Sequence, residues 1–173
     1  MLLSIKEMEV RKLPFAETWE PNGFDFSDPG VKQKAPLVAE GVAELLPHTG
    51  GEVRVHGRIR TELEVECDRC LGGTALPIDA PFDLFYKPLE DEPEEEVAID
   101  EGEAEMGFYE LPGLELEDIV REQVLLQLPM QRVCSPACKG ICPMCGVNRN
   151  ETECSCQPPS GDDRWMALKN LHV

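Results

Sequence analysis

The arrangement of its eight cysteines constrains this chain more than any other feature of the sequence. They form four short-spaced pairs: Cys67 with Cys70, Cys134 with Cys138, Cys142 with Cys145, and Cys154 with Cys156. Tetrahedral zinc takes four thiolates at about 2.3 Å, and a short loop between two cysteines places both on one edge of the coordination shell. Two pairs complete one site. The spacing therefore predicts zinc as the cofactor, with two ions favoured and at least one expected.

The strongest local signal is the stretch Cys142-Pro143-Met144-Cys145-Gly146, which has the sequence of a zinc knuckle. Such a turn directs backbone N–H groups at the sulfurs, and glycine tolerates the positive φ that the turn often needs. The pair Cys154 and Cys156 is the favoured completion of this site. The remaining four cysteines, Cys67, Cys70, Cys134 and Cys138, then form a second site. An alternative joins Cys134 and Cys138 to Cys142 and Cys145, and the spacing alone leaves both pairings open.

The N-terminal segment Met1–Glu7 lacks the pattern of a secretory signal, and no stretch approaches the ~18 apolar residues of a membrane helix. We therefore expect a cytoplasmic protein without membrane contact. Under reducing conditions paired cysteines are more often metal ligands or redox groups than disulfides. A thiol redox role for Cys67 and Cys70 is the weakest hypothesis, because redox pairs usually open a helix after a parallel strand.

Alternating hydrophobicity gives the clearest indication of fold. Apolar residues occupy every second position over most of the stretch 53–67, which is typical of a half-buried antiparallel strand. Residues 37–46 are the predicted partner, joined through the turn at Gly50-Gly51. A third strand is predicted from Leu76, completing a meander. A first strand is expected around 2–10, followed by an irregular connection that carries Phe15, Trp19, Phe24 and Phe26.

The second half of the chain combines a helix with the cysteine-rich segment. A short strand is predicted at 106–111, and apolar residues at helical spacing predict a helix over 115–128, ended by Pro129. The expected fold class is α+β: an antiparallel sheet meander, one main helix and a C-terminal cysteine-rich zinc module. Residues 1–133 form the predicted sheet domain and include an acidic mobile loop at 90–105. Residues 134–173 form the predicted zinc module and tail, with a linker at 157–163 and a short helix at 164–171.

The charge of the chain bears on its partners. The formal net charge is −18, and ten of the 34 acidic residues lie between Glu90 and Glu105. Such a field repels phosphate backbones and favours a basic protein partner. Arg54, Arg58 and Arg60, with His56 and Arg69 nearby, are the one concentrated basic feature. Direct RNA binding through this face and the zinc module is the alternative function. The favoured interpretation is that these arginines pair with Glu62, Glu64, Glu66 or the acidic loop.

Catalytic motifs are missing from the sequence. None of the three histidines, His48, His56 and His172, belongs to a helical metal-binding pair, and there is no glycine-rich phosphate loop. A site with four cysteine ligands has no open position for water, so it is structural. We therefore expect a protein that acts by binding and not as an enzyme.

Four segments in order resemble the YceD family of large ribosomal RNA subunit accumulation proteins. They are Cys67-Asp68-Arg69-Cys70-Leu71, the helical stretch 122–130 ending in Leu-Pro-Met, the cysteine-rich stretch 138–148 followed by Cys154 and Cys156, and the tail 163–169. The resemblance implies a role in large-subunit ribosomal RNA accumulation and ribosome biogenesis, with no enzymatic activity established for the family. It also implies a ribosomal protein or a pre-ribosomal particle as partner, with ribosomal RNA as the alternative.

Overall fold

The computed structural model describes residues 1–89 and 106–156. The chain divides into two compact units: the first comprises Met1–Val65 and Ala75–Met130, and the second comprises Glu66–Thr74 and the chain from Gln131 onward. The predicted loop at 90–105, linker at 157–163 and helix at 164–171 lie outside the described residues. The predicted boundary between 133 and 134 stays a prediction, although the structure groups residues 66–74 with the C-terminal cysteines.

The first unit is built on one mixed sheet whose strand order is β2-β4-β5-β6-β7. These strands are β2 (Leu13–Trp19), β4 (Leu37–Leu45), β5 (Val53–Glu66), β6 (Gly73–Pro88) and β7 (Gly107–Tyr109), and the short β3 (Val31–Gln33) also pairs with β5. The predicted strands at 37–46, 53–67, from 76 and at 106–111 are confirmed. The sheet is not purely antiparallel as predicted, because β6 and β7 pair in parallel with Tyr86 opposite Gly107.

The N-terminal region differs from its prediction. Only Leu2–Ser4 is a strand (β1), and Ile5–Met8 forms a single helical turn (α1). Ile5 and Met8 are both buried, and their spacing of three residues suits a helix, whereas a strand would turn them to opposite faces. Strand β1 pairs with β8 (Gly113–Glu115) in a separate two-stranded sheet. Phe15 and Trp19, expected in an irregular connection, lie in β2, which pairs with β4 along its whole length.

The core of the first unit forms between the sheet and the main helix, α2 (Leu116–Leu126). The helix was predicted over 115–128, and its apolar stripe is buried at Leu116, Ile119, Val120 and Val124. Glu117 and Asp118 lie in its first turn, where the unpaired N–H groups favour negative charge. Among the described residues, neither helix combines the length and apolarity needed to cross a membrane.

Two glycines face each other where β4 pairs with β5 in the sheet. Gly41 of β4 pairs with Gly57 of β5. A Cβ atom at Gly41 would lie 2.7 Å from the Phe15 ring and would also collide with the His56 carbonyl oxygen. Because a side chain here would collide with backbone atoms of β5 as well as with that ring, the sheet requires glycine at this position.

Candidate metal centres

Two tight turns of the second unit have the same geometry. In the connection between β5 and β6, the Cys67 N–H donates to the Gly72 carbonyl (2.9 Å) and the Leu71 N–H donates to the Cys67 carbonyl (2.8 Å). In the stretch 142–147, the Cys142 N–H donates to the Val147 carbonyl (2.8 Å) and the Gly146 N–H donates to the Cys142 carbonyl (2.8 Å). The two turns thus share one hydrogen-bond pattern, although only the second was predicted to be a zinc knuckle.

The residue after each Cys-x-x-Cys motif has a left-handed backbone. Gly146 adopts φ +72°, as the sequence predicted for a knuckle, and Leu71 adopts φ +58° at the equivalent place in the first turn. This conformation costs a non-glycine residue about 1–2 kcal/mol. The first turn therefore contains backbone strain at Leu71, and the second turn avoids this strain because glycine stands at the equivalent place.

The first group of sulfurs, called here the first tetrad, comprises Cys67, Cys70, Cys134 and Cys138, all within 4.8 Å of one another. Cys67 Sγ lies 3.9 Å from Cys138 Sγ, and Cys70 Sγ lies 3.7 Å from Cys134 Sγ. Four sulfurs at about 2.3 Å from a tetrahedral zinc ion would be about 3.8 Å apart. A disulfide needs about 2.05 Å, and all eight thiols are free. The donor set fits zinc.

The second tetrad comprises Cys142, Cys145, Cys154 and Cys156, whose sulfurs also lie within 4.8 Å of one another. The structure thus brings the cysteines together in the favoured grouping and not in the alternative that joined Cys134 and Cys138 to Cys142 and Cys145. Each tetrad could hold one metal ion. The role of the eight cysteines as ligands stays a prediction.

Backbone N–H groups favour the thiolate form of the first cysteine in each of the two turns. Hydrogen bonds from the N–H groups of Cys134, Arg69 and Cys70 lower the pKa of Cys67 to about 6. The N–H groups of Cys145 and Met144 act in the same way on Cys142 and lower its pKa to about 6. Each turn therefore stabilises the anionic sulfur that a metal ion requires.

The sulfurs within a tetrad cannot all ionise without a cation. Hydrogen bonding to the sulfurs of Cys138 and Cys70, together with burial, raises the pKa of Cys134 to about 12. In the second tetrad, hydrogen bonding to Cys145 and burial raise the pKa of Cys156 to about 12. A divalent cation offsets this mutual repulsion, so metal binding would release protons and would weaken as the pH falls.

Polar side chains that were not predicted to act at this site connect the two arms of the first tetrad. The Asp68 carboxylate accepts the Arg132 N–H (2.6 Å), and the Arg132 carbonyl accepts the Asp68 N–H (2.7 Å). The Arg69 guanidinium donates to the carbonyls of Pro136 and Cys138, each at 3.4 Å. Arg69, assigned from sequence to a basic face, thus connects the two arms of the first tetrad.

Asn150 is a further residue that was not predicted from the sequence. Its Nδ2 donates to Cys138 Sγ (3.3 Å), and its Oδ1 accepts the Lys139 N–H (2.8 Å). The hydrogen bond from Asn150 Nδ2 to the sulfur, together with that from the Gly140 N–H, lowers the pKa of Cys138. Side chains that hydrogen-bond to a metal ligand commonly orient that ligand in this way. The only signal in the sequence is the presence of two amides, Asn148 and Asn150, inside the cysteine-rich loop.

The second unit has no aliphatic core among the residues that the structure describes. Its buried side chains with apolar character are Cys67, Cys70, Cys138 and Cys142, and Val133 packs against the first three while partly exposed. Polypeptides of this size rarely fold on such a core without a metal or disulfides. Metal ions at the two tetrads would supply stability to this part of the unit.

The predicted basic face is neutralised within the first unit. Arg54 makes a bidentate contact with Asp83 (2.8 and 2.7 Å), Arg58 pairs with Asp79, and Arg60 pairs with Glu40. The predicted partners on β5 were wrong, because cross-strand neighbours lie closer than residues of the same strand. Glu64, for example, pairs with Lys34 at 2.8 Å. Each arginine already has a carboxylate, which lowers its attraction for phosphate.

Comparison with known proteins gives one family. The model of the family described as "Large ribosomal RNA subunit accumulation protein YceD" matches residues 55–172. A maize (Zea mays) protein named "Large ribosomal RNA subunit accumulation protein YCED homolog 1, chloroplastic" is 27% identical over 88% of this chain and 66% of its own length. The Arabidopsis thaliana protein of the same name is 28% identical over 69% of this chain and 44% of its own length.

An uncharacterized protein of Mycobacterium tuberculosis is 32% identical over 83% of this chain and 64% of its own length. The chain thus spans 44% to 66% of the length of these relatives. No solved structure matches the chain.

Proposed function

This chain belongs to the YceD family, and from that membership we propose that it supports the accumulation of large-subunit ribosomal RNA as a zinc-binding factor without catalytic activity. The family match carries the proposal. Two relatives bear the name of large ribosomal RNA subunit accumulation proteins, so the same role is the natural one for this chain in ribosome biogenesis.

Zinc is the proposed metal at both tetrads. The sulfur separations agree with a tetrahedral zinc–thiolate geometry, and the second unit lacks any other core among its described residues. With four sulfurs around each ion, no coordination position remains for water, so the metal would have a structural role. The same geometry weighs against a redox dithiol at Cys67 and Cys70, because both sulfurs belong to a group of four.

The metal content of the purified chain tests this part of the proposal. Protein prepared without chelator should hold two zinc ions, and Cys67→Ser/Cys70→Ser and Cys154→Ser/Cys156→Ser should each hold one. Ser135→Ala, a substitution beside Cys134 that removes no sulfur, should still hold two. A wild-type chain in which residues 131–156 stay folded with no bound metal would contradict the proposal.

The proposed partner is a basic ribosomal protein or a pre-ribosomal particle. A net charge of −18 attracts a basic surface and repels bare RNA. Direct RNA binding through Arg54, Arg58 and Arg60 is the weaker candidate, because carboxylates already neutralise these side chains. The cytoplasm is the proposed location, since reducing conditions keep thiols free for metal, whereas the two plant relatives are named as chloroplastic.

Complementation in cells that lack the protein tests the function. Wild-type protein and Arg54→Ala/Arg58→Ala/Arg60→Ala should both restore the amount of large-subunit ribosomal RNA, and Cys67→Ser/Cys70→Ser should not. Tagged protein should retain large-subunit ribosomal proteins after nuclease treatment and release them at high salt, which screens charge attraction. Failure of the arginine variant, with loss of binding to purified RNA, would favour the RNA-binding alternative. Normal RNA levels without the protein would defeat the proposed function.

A further inference from the structure

We propose that the Asn150 side chain couples the two zinc sites, so that metal bound at the second tetrad raises the affinity of the first. This inference rests on the proposed zinc binding and goes beyond it, because it assigns a positioning residue and an energetic link between two separate sites. Both tetrads and Asn150 belong to the second unit.

Asn150 belongs by sequence to the second tetrad. It lies in the loop that joins Cys145 to Cys154, two ligands of that tetrad. The loop returns along the stretch that follows Cys138: Ile141 and Asn148 form an antiparallel bridge, and the Arg149 N–H donates to the Gly140 carbonyl (2.9 Å). A metal ion bound by Cys145 and Cys154 would fix both ends of this loop.

The polar atoms of Asn150, in contrast, serve the first tetrad. Nδ2 donates to Cys138 Sγ (3.3 Å) and Oδ1 accepts the Lys139 N–H (2.8 Å), so one amide holds two consecutive residues of that site. Cys138 is only 8% exposed, which limits replacement of the lost donor by water. Removing the amide would leave the sulfur with one hydrogen bond fewer and its loop less constrained.

Asn148 fixes the orientation of this amide. Its Oδ1 accepts both the Asn150 N–H (3.0 Å) and the Asn150 Nδ2–H (2.9 Å), and its own Nδ2 donates to the Glu151 carboxylate (2.8 Å). All three residues lie in the loop that the second tetrad closes. The donor to Cys138 is therefore correctly placed only while this loop is ordered, which makes its effect conditional on the second site.

The size of the effect follows from known behaviour of ligand-orienting residues. Their loss typically lowers metal affinity about 10- to 100-fold. Coupling between two binding equilibria is reciprocal, so occupation of either tetrad changes the affinity of the other by the same factor. We expect a factor of about ten, at the lower end of that range, because a thiolate accepts a weaker hydrogen bond than an oxygen anion.

Competition with a chelator on the full chain measures this coupling. The variants Cys67→Ser/Cys70→Ser and Cys154→Ser/Cys156→Ser each remove one site. Their zinc release therefore identifies which tetrad loses its ion at a given chelator concentration. Asn150→Ala should keep two zinc ions but weaken the first tetrad about tenfold. Thr152→Ala, an exposed position of the same loop, should stay within twofold of wild type. Cys154→Ser/Cys156→Ser should weaken the first tetrad by a similar factor, and adding Asn150→Ala should cause little further loss.

Cobalt provides a readout of the hydrogen bond at Cys138 Sγ that is separate from metal affinity. In protein loaded with Co²⁺, removal of a hydrogen bond from Cys138 Sγ should move the sulfur-to-cobalt charge-transfer absorption to longer wavelength. Asn150→Ala should show this shift and Thr152→Ala should not. If Asn150→Ala fails to fold, Asn150→Ser, whose side chain is too short to reach the sulfur, repeats both measurements.

Two results would overturn the coupling. One is a first-tetrad affinity for Asn150→Ala within twofold of wild type, with an unshifted absorption. The other is that Asn150→Ala lowers the zinc affinity of the first tetrad by the same factor whether or not the second tetrad can bind metal. The amide would then act independently of the second site. Either result leaves the proposed zinc binding standing. A wild-type chain without zinc would overturn the zinc binding itself and the coupling with it.

Discussion

Gln33 is a buried side chain whose polar atoms organise the connection between β2 and β4. It is 3% exposed, and its Oε1 accepts the Phe24 N–H (3.2 Å). Its Nε2 donates to the carbonyls of Trp19 (2.8 Å) and Ala35 (3.0 Å). The side chain thus binds three backbone groups at the end of β2 and in the connection that follows it.

Replacement of Gln33 by leucine should therefore destabilise the first unit. The substitution keeps a similar volume but removes three hydrogen bonds, although the Ala35 carbonyl keeps Thr61 Oγ1 as a donor (3.3 Å). The loss costs about 2–3 kcal/mol of unfolding free energy. Urea unfolding followed by tryptophan fluorescence measures the loss. The matched change at exposed Gln127 should alter stability by less than about 0.5 kcal/mol. Equal stabilities for the two variants would contradict this role.

Gly146 permits a second prediction at the scale of one residue. Its φ is +72°, and a methyl group at this position would meet no atom within 4 Å, so Gly146→Ala changes only the backbone preference. The cost of about 1 kcal/mol should appear as a roughly fivefold weaker second tetrad in chelator competition. Gly50→Ala is the matched control, because Gly50 has φ +75° and equally open surroundings in the turn after β4. It should lower the stability of the first unit and leave metal affinity unchanged.

The ion pairs on the polar face of the sheet give a prediction about pH. The Arg54 guanidinium holds the pKa of Asp83 below its ordinary value of 3.8. A carboxylate with a depressed pKa stabilises the fold above its unfolded pKa and loses this effect as the pH falls through the folded pKa. Asp83→Asn should thus cost on the order of 0.5 kcal/mol at pH 7, as is typical of exposed pairs.

The cost of Asp83→Asn should shrink as the pH falls below about 4, the ordinary range for an aspartate. Thermal unfolding midpoints of wild type and variant at pH 7 and pH 3.5 make the comparison. Glu62→Gln, which changes the net charge equally at another exposed carboxylate of the sheet, is the control. A difference between Asp83→Asn and wild type that grows in acid would contradict the depressed pKa.

Elements with a strong period were predictable from the sequence, and those defined by distant partners were not. Strand β5 alternates over most of its length and α2 repeats at helical spacing, so the chain itself specifies which face is buried. Strand β2 contains Pro14 and becomes less buried toward Trp19, and its pairing with β4 depends on a chain reversal that no local signal records. The parallel pairing of β7 with β6 likewise depends on residues far apart in sequence.

The candidate site divides in the same way. Cysteine spacing indicated which sulfurs approach one another, because a metal geometry limits the arrangements that short loops can reach. The hydrogen-bonding residues around them, Asp68, Arg69 and Asn150, had no such signal, since polar contacts to backbone leave no periodic trace in a sequence. The prediction that the arginines pair with carboxylates of β5 was also wrong, because the true partners depend on the register between strands.

At the scale of the whole molecule, removal of metal should affect the two units differently. The first unit has a core of aliphatic and aromatic side chains, whereas the described part of the second is held around its cysteines. A strong chelator should therefore abolish amide-exchange protection in 66–74 and 131–156, and β5 up to Val65 and α2 should keep theirs. Mass spectrometry of exchanged peptides separates these regions, and added zinc should restore the protection. Uniform loss of protection throughout the chain would contradict this independence.

The discontinuous origin of the second unit also determines the order in which it can assemble. In the complete chain, Cys67 and Cys70 need two distant partners, Cys134 and Cys138, and the nearer of these lies 64 residues after Cys70. The second tetrad, drawn entirely from residues 142–156, closes a short local loop, and such closures are fast compared with distant ones. When zinc is added to the complete metal-free chain, the tetrad nearest the C-terminus should therefore form first and the long-range tetrad afterwards.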